Sequence, residues 1–304
     1  MKKTFYSNGK LLITGEYLVL DGARAFALPT KFGQTLTIEE NHGQIIHWKS
    51  IDNDGSIWFE DNIPFSSITR NERFDDAKNI KNTLIEILHE AWLMNPDFIV
   101  KAEGYIITTE LTFPKFWGLG TSSTLINNIA QWLQIDAFKL LNSSFGGSGY
   151  DIACAQNGGP ITYQLVNDKP IVELVTFDPS FINKIFFVYL NKKQNSKAAI
   201  LSYYGKQGNN AKNIPKINAI TEAVVTAKTA KEFAVALHNH EIEMSNILEL
   251  TTVKEVLFPD FMGVIKSLGA WGGDFVLTIS KENPTDYFKS KGFDTVISYE
   301  EMIL

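Results

Sequence analysis

This chain of 304 residues has little cysteine, little histidine and no basic excess, and each shortage narrows its chemistry. The single cysteine, Cys154, excludes an internal disulfide and a multi-cysteine metal site, and it suits a reducing compartment. Against 34 Asp and Glu stand 28 Lys and Arg, a formal net charge of −6. Nucleic acid is therefore not expected as a partner, because neutralising phosphates needs a basic surface. Of five histidines, His238 and His240 stand two apart in a helical pattern and face different ways, while His42 and His47 lie in or beside a turn. No zinc spacing results. A Gly-x-Ser-x-Gly elbow is missing, which argues against a serine hydrolase. No run approaches 18 apolar residues, so a transmembrane helix is not expected. Met1–Tyr6 has lysines but no sustained apolar core after them, so it does not read as a signal peptide, and a cytoplasmic location is expected.

What is present is a chain 44% hydrophobic and 20% charged, enough to bury a core and long enough for two domains. Residues 4–60 read mostly as strands. Leu11–Thr14 and Leu18–Leu20 are short apolar runs, Leu36–Ile38 alternates, and Asp21-Gly22 and Asn41–Gly43 are turns. Ile80–Leu93 reads as a helix with Ile80, Leu84, Ile87, Leu88 and Ala91 on one face. Tyr105–Leu111 alternates as a strand. Ser122–Leu133 reads as a helix with an apolar stripe of Leu125, Ile126, Ile129 and Leu133, capped by Thr121 or Ser122. A helix is expected from Ala153, a strand at Ile161–Tyr163, a strand at Lys184–Leu190, helical structure from Ile217 to Leu250, and a final strand–helix–strand set.

Three glycine-rich stretches carry the chemistry. The first, Pro114-Lys115-Phe116-Trp117-Gly118-Leu119-Gly120-Thr121-Ser122-Ser123, opens into a helical pattern. N–H groups at a helix start lack internal partners, the helix dipole favours negative charge there, and glycines let backbone approach phosphate oxygens. A hydroxyl at Ser122 or Ser123 would reach a phosphate or a magnesium ion. The Gly-Lys-Ser/Thr ending of the common phosphate loop is absent. The bland alternative is an ordinary glycine turn. The second stretch, Gly146-Gly147-Ser148-Gly149-Tyr150-Asp151, places a carboxylate at the end of a flexible loop, where it serves either as an acid–base or metal-binding group or as a helix cap. The third, Gly269-Ala270-Trp271-Gly272-Gly273-Asp274, precedes a strand-like run at Phe275–Ile279. Lys10, after Asn8-Gly9, is a candidate partner for Asp151 and for phosphate oxygens, or else a solvated lysine.

The three stretches, with Asn8–Gly22 ahead of them, resemble the motifs of the GHMP kinases, named for galactokinase, homoserine kinase, mevalonate kinase and phosphomevalonate kinase. Asn8–Gly22 is similar to the first motif, Pro114–Ser123 to the second, Ser148–Ala153 to the segment of the catalytic aspartate, and Gly269–Asp274 to the third. Leu237 through Leu248 resembles the substrate-side helix before the third motif. The resemblance implies an α+β fold: residues 1–170 as an ATP-binding domain with a left-handed βαβ crossover, and 171–304 as a ferredoxin-like domain. It implies ATP and Mg2+ as cofactors and phosphoryl transfer to a small-molecule alcohol or phosphate ester, mevalonate or phosphomevalonate first. Asp151 and Lys10 would be catalytic. Lys115, Gly118, Leu119, Gly120, Thr121, Ser122 and Ser123 would bind ATP, and Ser122 and Asp151 the metal. Glu16, Ser148, Gly149, Lys197, Gly272, Gly273 and Asp274 would bind substrate. A homodimer is compatible with it, and no membrane partner is implied.

Three departures stand out. Leu140–Ser144 lacks the acid that mevalonate kinase-like members carry before the aspartate segment. Trp117 and Trp271 stand where the family has small residues. These leave open a catalytically silent metabolite-binding relative, and an ATP-dependent diphosphomevalonate decarboxylase shares the implied fold.

Overall fold

The computed structural model describes residues 2–74, 80–194, 196–205 and 210–304. The chain is α+β and divides into two units. The first comprises Met1–Gly9, Phe32–Lys115 and Leu119–Gln156, and the second Lys10–Lys31, Phe116–Gly118 and Asn157–Leu304. Two long strands, β1 (Lys2–Thr14) and β2 (Ala25–Glu40), each give a portion to both.

In the first unit, β3 (Ile45–Ile51) and β4 (Ile57–Pro64) form an antiparallel hairpin. Helices α1 (Phe65–Thr69), α2 (Ile80–Met94) and α3 (Asp97–Val100) follow, and β5 (Tyr105–Leu111) returns to the sheet. There β5 lies parallel to β3 and antiparallel to β2, from Gln34 opposite Leu111 to Glu40 opposite Tyr105. Period-two alternation buries Tyr105, Ile107, Thr109 and Leu111 on one face of β5. Next come α4 (Thr121–Leu133), α5 (Ala137–Ser144) and α6 (Tyr150–Gln156). Leu36, Ile38, Ile46, Trp48 and Ile107 of the sheet share one core with Leu84, Ile87 and Leu88 of α2 and Ile126, Ile129 and Leu133 of α4. The expected stripe of α2 is buried except Ile80, which is 44% exposed at the first residue of the helix.

In the second unit, Ala25–Ala27 of β2 pairs with β6 (Ile161–Val166), which forms a hairpin with β7 (Lys169–Leu174). The chain continues through β8 (Ile185–Tyr189), α7 (Ser196–Gly205), α8 (Ile214–Thr226), α9 (Ala230–Leu248), α10 (Val253–Leu257), β9 (Val264–Ser267), β10 (Phe275–Ile279), α11 (Thr285–Ser290), β11 (Val296–Ser298) and α12 (Tyr299–Met302). The last four strands make an antiparallel sheet in the order β11-β8-β10-β9. Counted within that sheet the order is fourth, first, third, second, the ferredoxin-like arrangement.

Two local expectations need correction. Leu18–Leu20 is not a strand: Leu18–Asp21 forms a 3-10 turn, entered at Tyr17 with φ 58° and left at Gly22 with φ 91°. Leu18 and Val19 are both buried there, and a short apolar run buried all round gives no period to read. The helical stretch Ile217–Leu250 is two helices. Thr229 is extended and caps α9, its hydroxyl accepting from the Glu232 N–H while the Glu232 carboxylate accepts from the Thr229 N–H. Thr229→Ala removes half of this capping box and is expected to cost about 1 kcal/mol, read as a lower urea midpoint at unchanged slope.

Candidate functional site

In the first unit the glycine loop ends in α4. Gly120 occupies the N-cap position with φ 100°, which a glycine adopts without strain, and no side chain caps the helix. The expected cap at Thr121 or Ser122 is thus replaced by glycine geometry. The Ser123 hydroxyl instead donates back to the Gly120 carbonyl at 2.8 Å. Ser123 and Leu119 are buried, whereas Gly120, Thr121 and Ser122 are half-buried. The first-turn N–H groups therefore have no side-chain acceptor of their own helix start.

What holds this helix start in place is a buried polar network that patterning did not reveal. Thr124 Oγ1 donates to Gln34 Oε1 at 2.8 Å, and Asn128 Nδ2 to the Gln34 carbonyl at 2.9 Å. Ser7 Oγ donates to Asn128 Oδ1 at 2.7 Å and accepts from Asn127 Nδ2 at 2.8 Å. Gln156 of α6 donates to Asn127 Oδ1 at 3.0 Å. The consecutive Asn127-Asn128 inside an apolar helix was the available signal. Ahead of the loop, the Lys115 N–H donates to Asp52 Oδ1 at 2.9 Å, and its ammonium lies 5.8 Å from the centre of the Trp58 ring.

The second glycine stretch bends at Gly146, Gly147 and Gly149, with φ of 77°, 112° and 90°. Helix α6 begins at Tyr150 rather than Ala153, so half-buried Asp151 sits in its first turn, where the helix dipole favours a carboxylate. Ser148 is half-buried beside it in sequence, and Gly149 is buried.

The second unit brings Lys10, Gly118 and Asp274 together. Lys10 Nζ donates to the Gly118 carbonyl at 3.0 Å. A Cβ on Gly118 would stand 2.4 Å from the Asp274 carboxyl carbon, so only glycine fits at φ 69°. Asp274 Oδ1 accepts from the Gln194 N–H at 3.1 Å. Burial raises the Asp274 carboxyl above its usual range, against the pull of that N–H and of the Lys10 and Lys193 ammonium groups. Gly273 packs on Lys192 and Gln194, while Gly272 at φ 82° is exposed. Asn195 and the side chain of Lys197 lie outside the described residues.

The two tryptophan departures differ in setting: Trp117 is half-buried among aromatic rings and Trp271 is buried. Trp117 forms a T-shaped pair with Phe275, centroids 5.4 Å apart at 87°, and lies 6.3 Å from Tyr189. Trp271 is buried in a cluster with Leu18, Ala23, Tyr203, Ile217, Met244 and Leu248, and its backbone N–H donates to the Tyr17 hydroxyl at 3.2 Å.

Glu16 turns inward. It is 1% exposed and accepts from the ammonium of Lys266, itself fully buried, which also donates to the Ser267 carbonyl and lies 3.5 Å from Glu241. Glu241 in turn accepts from the Ser267 N–H at 3.0 Å and hydroxyl at 2.7 Å. His240 Nε2 accepts from the Gly15 N–H at 2.9 Å, which leaves the ring proton on Nδ1. Burial, then Lys266, pushes the His240 pKa well down, so the ring is neutral. Lys266 and this pairing were not foreseen. The helical spacing of Phe233, Leu237, His240, Glu241, Met244 and Leu248, all buried on α9, was the signal for its helix side.

One ammonium faces two carboxylates here, and burial wins over the attraction of Lys266, raising Glu16 to about 7. An acid with a raised folded pKa binds its proton more tightly in the native state, so its stabilisation is complete below the ordinary value near 4.5 and is lost as pH rises through about 7. Glu16→Gln should abolish this loss, on the order of 3 kcal/mol between those limits. Urea midpoints across that pH range for both proteins measure it.

No family model matches the sequence, and a search of curated proteins finds no relative. Solved structures do match. Mevalonate kinase of Methanococcus jannaschii is 15% identical with a TM-score of 0.68, over 97% of this chain and 96% of its own. Phosphomevalonate kinase of Streptococcus pneumoniae, solved with phosphomevalonate and AMPPNP, is 16% identical with a TM-score of 0.68, over 95% of each chain. A D-glycero-D-manno-heptose 1-phosphate kinase from Bacteriodes thetaiotaomicron is 14% identical with a TM-score of 0.67, over 100% of this chain and 96% of its own. At such identities the likeness speaks for architecture: the chain has the fold of the GHMP kinases.

Proposed function

We propose that this protein is an ATP-dependent small-molecule kinase that transfers the γ-phosphoryl group to an alcohol or a phosphate ester, with mevalonate and phosphomevalonate as the first substrates to try. The observation that carries the reading is the glycine loop Gly118-Leu119-Gly120 entering α4 without a side-chain cap, on the fold of known kinases. Backbone N–H groups so placed suit phosphate oxygens.

Phosphoryl transfer asks little covalent chemistry of the protein and much positioning and charge stabilisation. Asp151 is assigned the hydroxyl proton of the substrate. Lys10 is assigned to stabilise the developing negative charge. Leu119, Gly120, Thr121, Ser122 and Ser123 are assigned to the nucleotide phosphates, with Lys115 beside them. Ser148, Gly149, Gly272 and Gly273 remain substrate candidates.

Magnesium takes oxygen ligands and keeps several waters, so it needs few protein groups. Among the described residues no set of three or more His, Cys, Asp or Glu forms a metal cage. The Ser122 hydroxyl and the Asp151 carboxylate are of the right type, each half-buried in the first turn of a helix. Bound with the nucleotide, the ion would neutralise charge on the transferring phosphoryl group.

A second reading has one observation in its favour. Helix α5 carries no acid in its last turns: Leu140 and Leu141 are buried, and the Ser144 hydroxyl donates to the Leu140 carbonyl at 2.6 Å. A silent metabolite-binding relative would bind nucleotide without turning it over.

The deciding measurement is ADP release with magnesium and ATP over mevalonate, phosphomevalonate, diphosphomevalonate, homoserine and several sugars. Turnover with one substrate is expected, lowered about 100- to 10,000-fold by Asp151→Asn with ATP binding retained. Binding of ATP with silence across the panel favours the second reading, and full activity in the variant removes Asp151 from the mechanism.

A further inference from the structure

The sheet of the second unit grips the entry of the glycine loop residue by residue. Phe275 and Tyr189 are opposite each other in the β10–β8 register, with rings 5.4 Å apart. The Tyr189 hydroxyl donates to the Phe116 carbonyl at 3.1 Å, and the Trp117 ring makes a T-shaped pair with Phe275. One residue further on, Gly118 meets the side chain of Asp274, the residue before Phe275. The pair Asp274-Phe275 thus clasps the pair Trp117-Gly118.

Asp274 is itself fixed from three sides. Its N–H donates to the Lys192 carbonyl at 2.6 Å, its carbonyl accepts from the Leu190 N–H at 2.8 Å, and its carboxylate accepts from the Gln194 N–H. It holds φ 51°, in the left-handed region, at the end of a stretch where glycine would adopt that conformation more cheaply. A carboxylate next to a loop suited to phosphate opposes anions unless it organises a cation there. A loop atom that binds a cation there is the Gly118 carbonyl, which accepts from Lys10.

We propose that Asp274 is a positioning residue: by packing on Gly118 it fixes the carbonyl that holds the Lys10 ammonium, and so presents Lys10 to the reacting groups. This rests on the kinase reading and assigns Asp274 a role through Gly118 and Lys10 instead of through substrate. The alternative is a carboxylate that only braces the loop, which would alter stability and leave Lys10 untouched.

The test uses the full chain with Asp274→Asn, and Asp274→Gly as a second variant that relieves the left-handed backbone and keeps the fold. The first readout needs no turnover: acetylation of Lys10 by acetic anhydride, followed by mass spectrometry and referred to exposed Lys228. Severalfold faster acetylation of Lys10 is expected in both variants, and an unchanged rate overturns the proposal. The second readout uses the substrate found by ADP release. Asp274→Asn should lower kcat about tenfold with KM for ATP within twofold. The same change should add nothing to the loss already caused by Lys10→Met, because residues acting as one unit are not additive. Independent, multiplying losses overturn the proposal. Faster acetylation together with silence of the wild-type protein across the substrate panel would sink the kinase reading and keep the Lys10 contact.

Discussion

A fully buried ammonium sets the geometry of the second unit. Lys266 has no water to turn to, and an uncompensated charge there would cost several kcal/mol, so its acceptors are strictly required. They come from three separated parts of the chain: Glu16 just after β1, Glu241 on α9, and the Ser267 carbonyl beside it on β9. Gly15 adds a bond to His240 from the same helix. The turn after β1, the middle of α9 and the end of β9 are thereby locked to one another. Lys10 lies on β1 five residues before Gly15, and the third glycine turn leaves directly from β9. Lys10 and the third glycine turn are thus both tied to the same buried charge.

The first unit solves the matching problem without charge. Helix α4 is held from inside by amides and hydroxyls: Ser7, Gln34, Thr124, Asn127 and Asn128 are each almost fully buried and bonded to one another. Hydrogen bonds are directional, so such a network specifies one orientation where an apolar contact would allow sliding. The glycine loop itself stays unencumbered by side-chain caps.

The tryptophans change meaning once placed. As letters, Trp117 and Trp271 stand where the motifs they resemble usually have small residues, and so suggest an altered or lost site. In the structure half-buried Trp117 packs on Phe275 and Tyr189, and Trp271 is buried in the Leu18 cluster. The missing acid of α5 is different, because no neighbouring side chain on that helix takes its place.

The sequence by itself determined most element types, the order of the glycine stretches and the fold, but not the 3-10 turn at Leu18–Asp21 or the break at Thr229. The alternation of Tyr105–Leu111 appears unchanged as β5, and the stripe of Ser122–Leu133 as α4, because period-two and 3.6-residue patterns are local consequences of which face is buried. It also named Lys10, Gly118 and Asp274, from three distant segments, without saying that they meet. That meeting, the inward turn of Glu16, the pairing of Lys266 and the amide network of Ser7 and Asn128 were decided by tertiary structure alone. The reason is physical: a buried polar side chain has no periodic signature, and its partner is chosen by proximity in space between residues that may lie 250 positions apart, as Glu16 and Lys266 do.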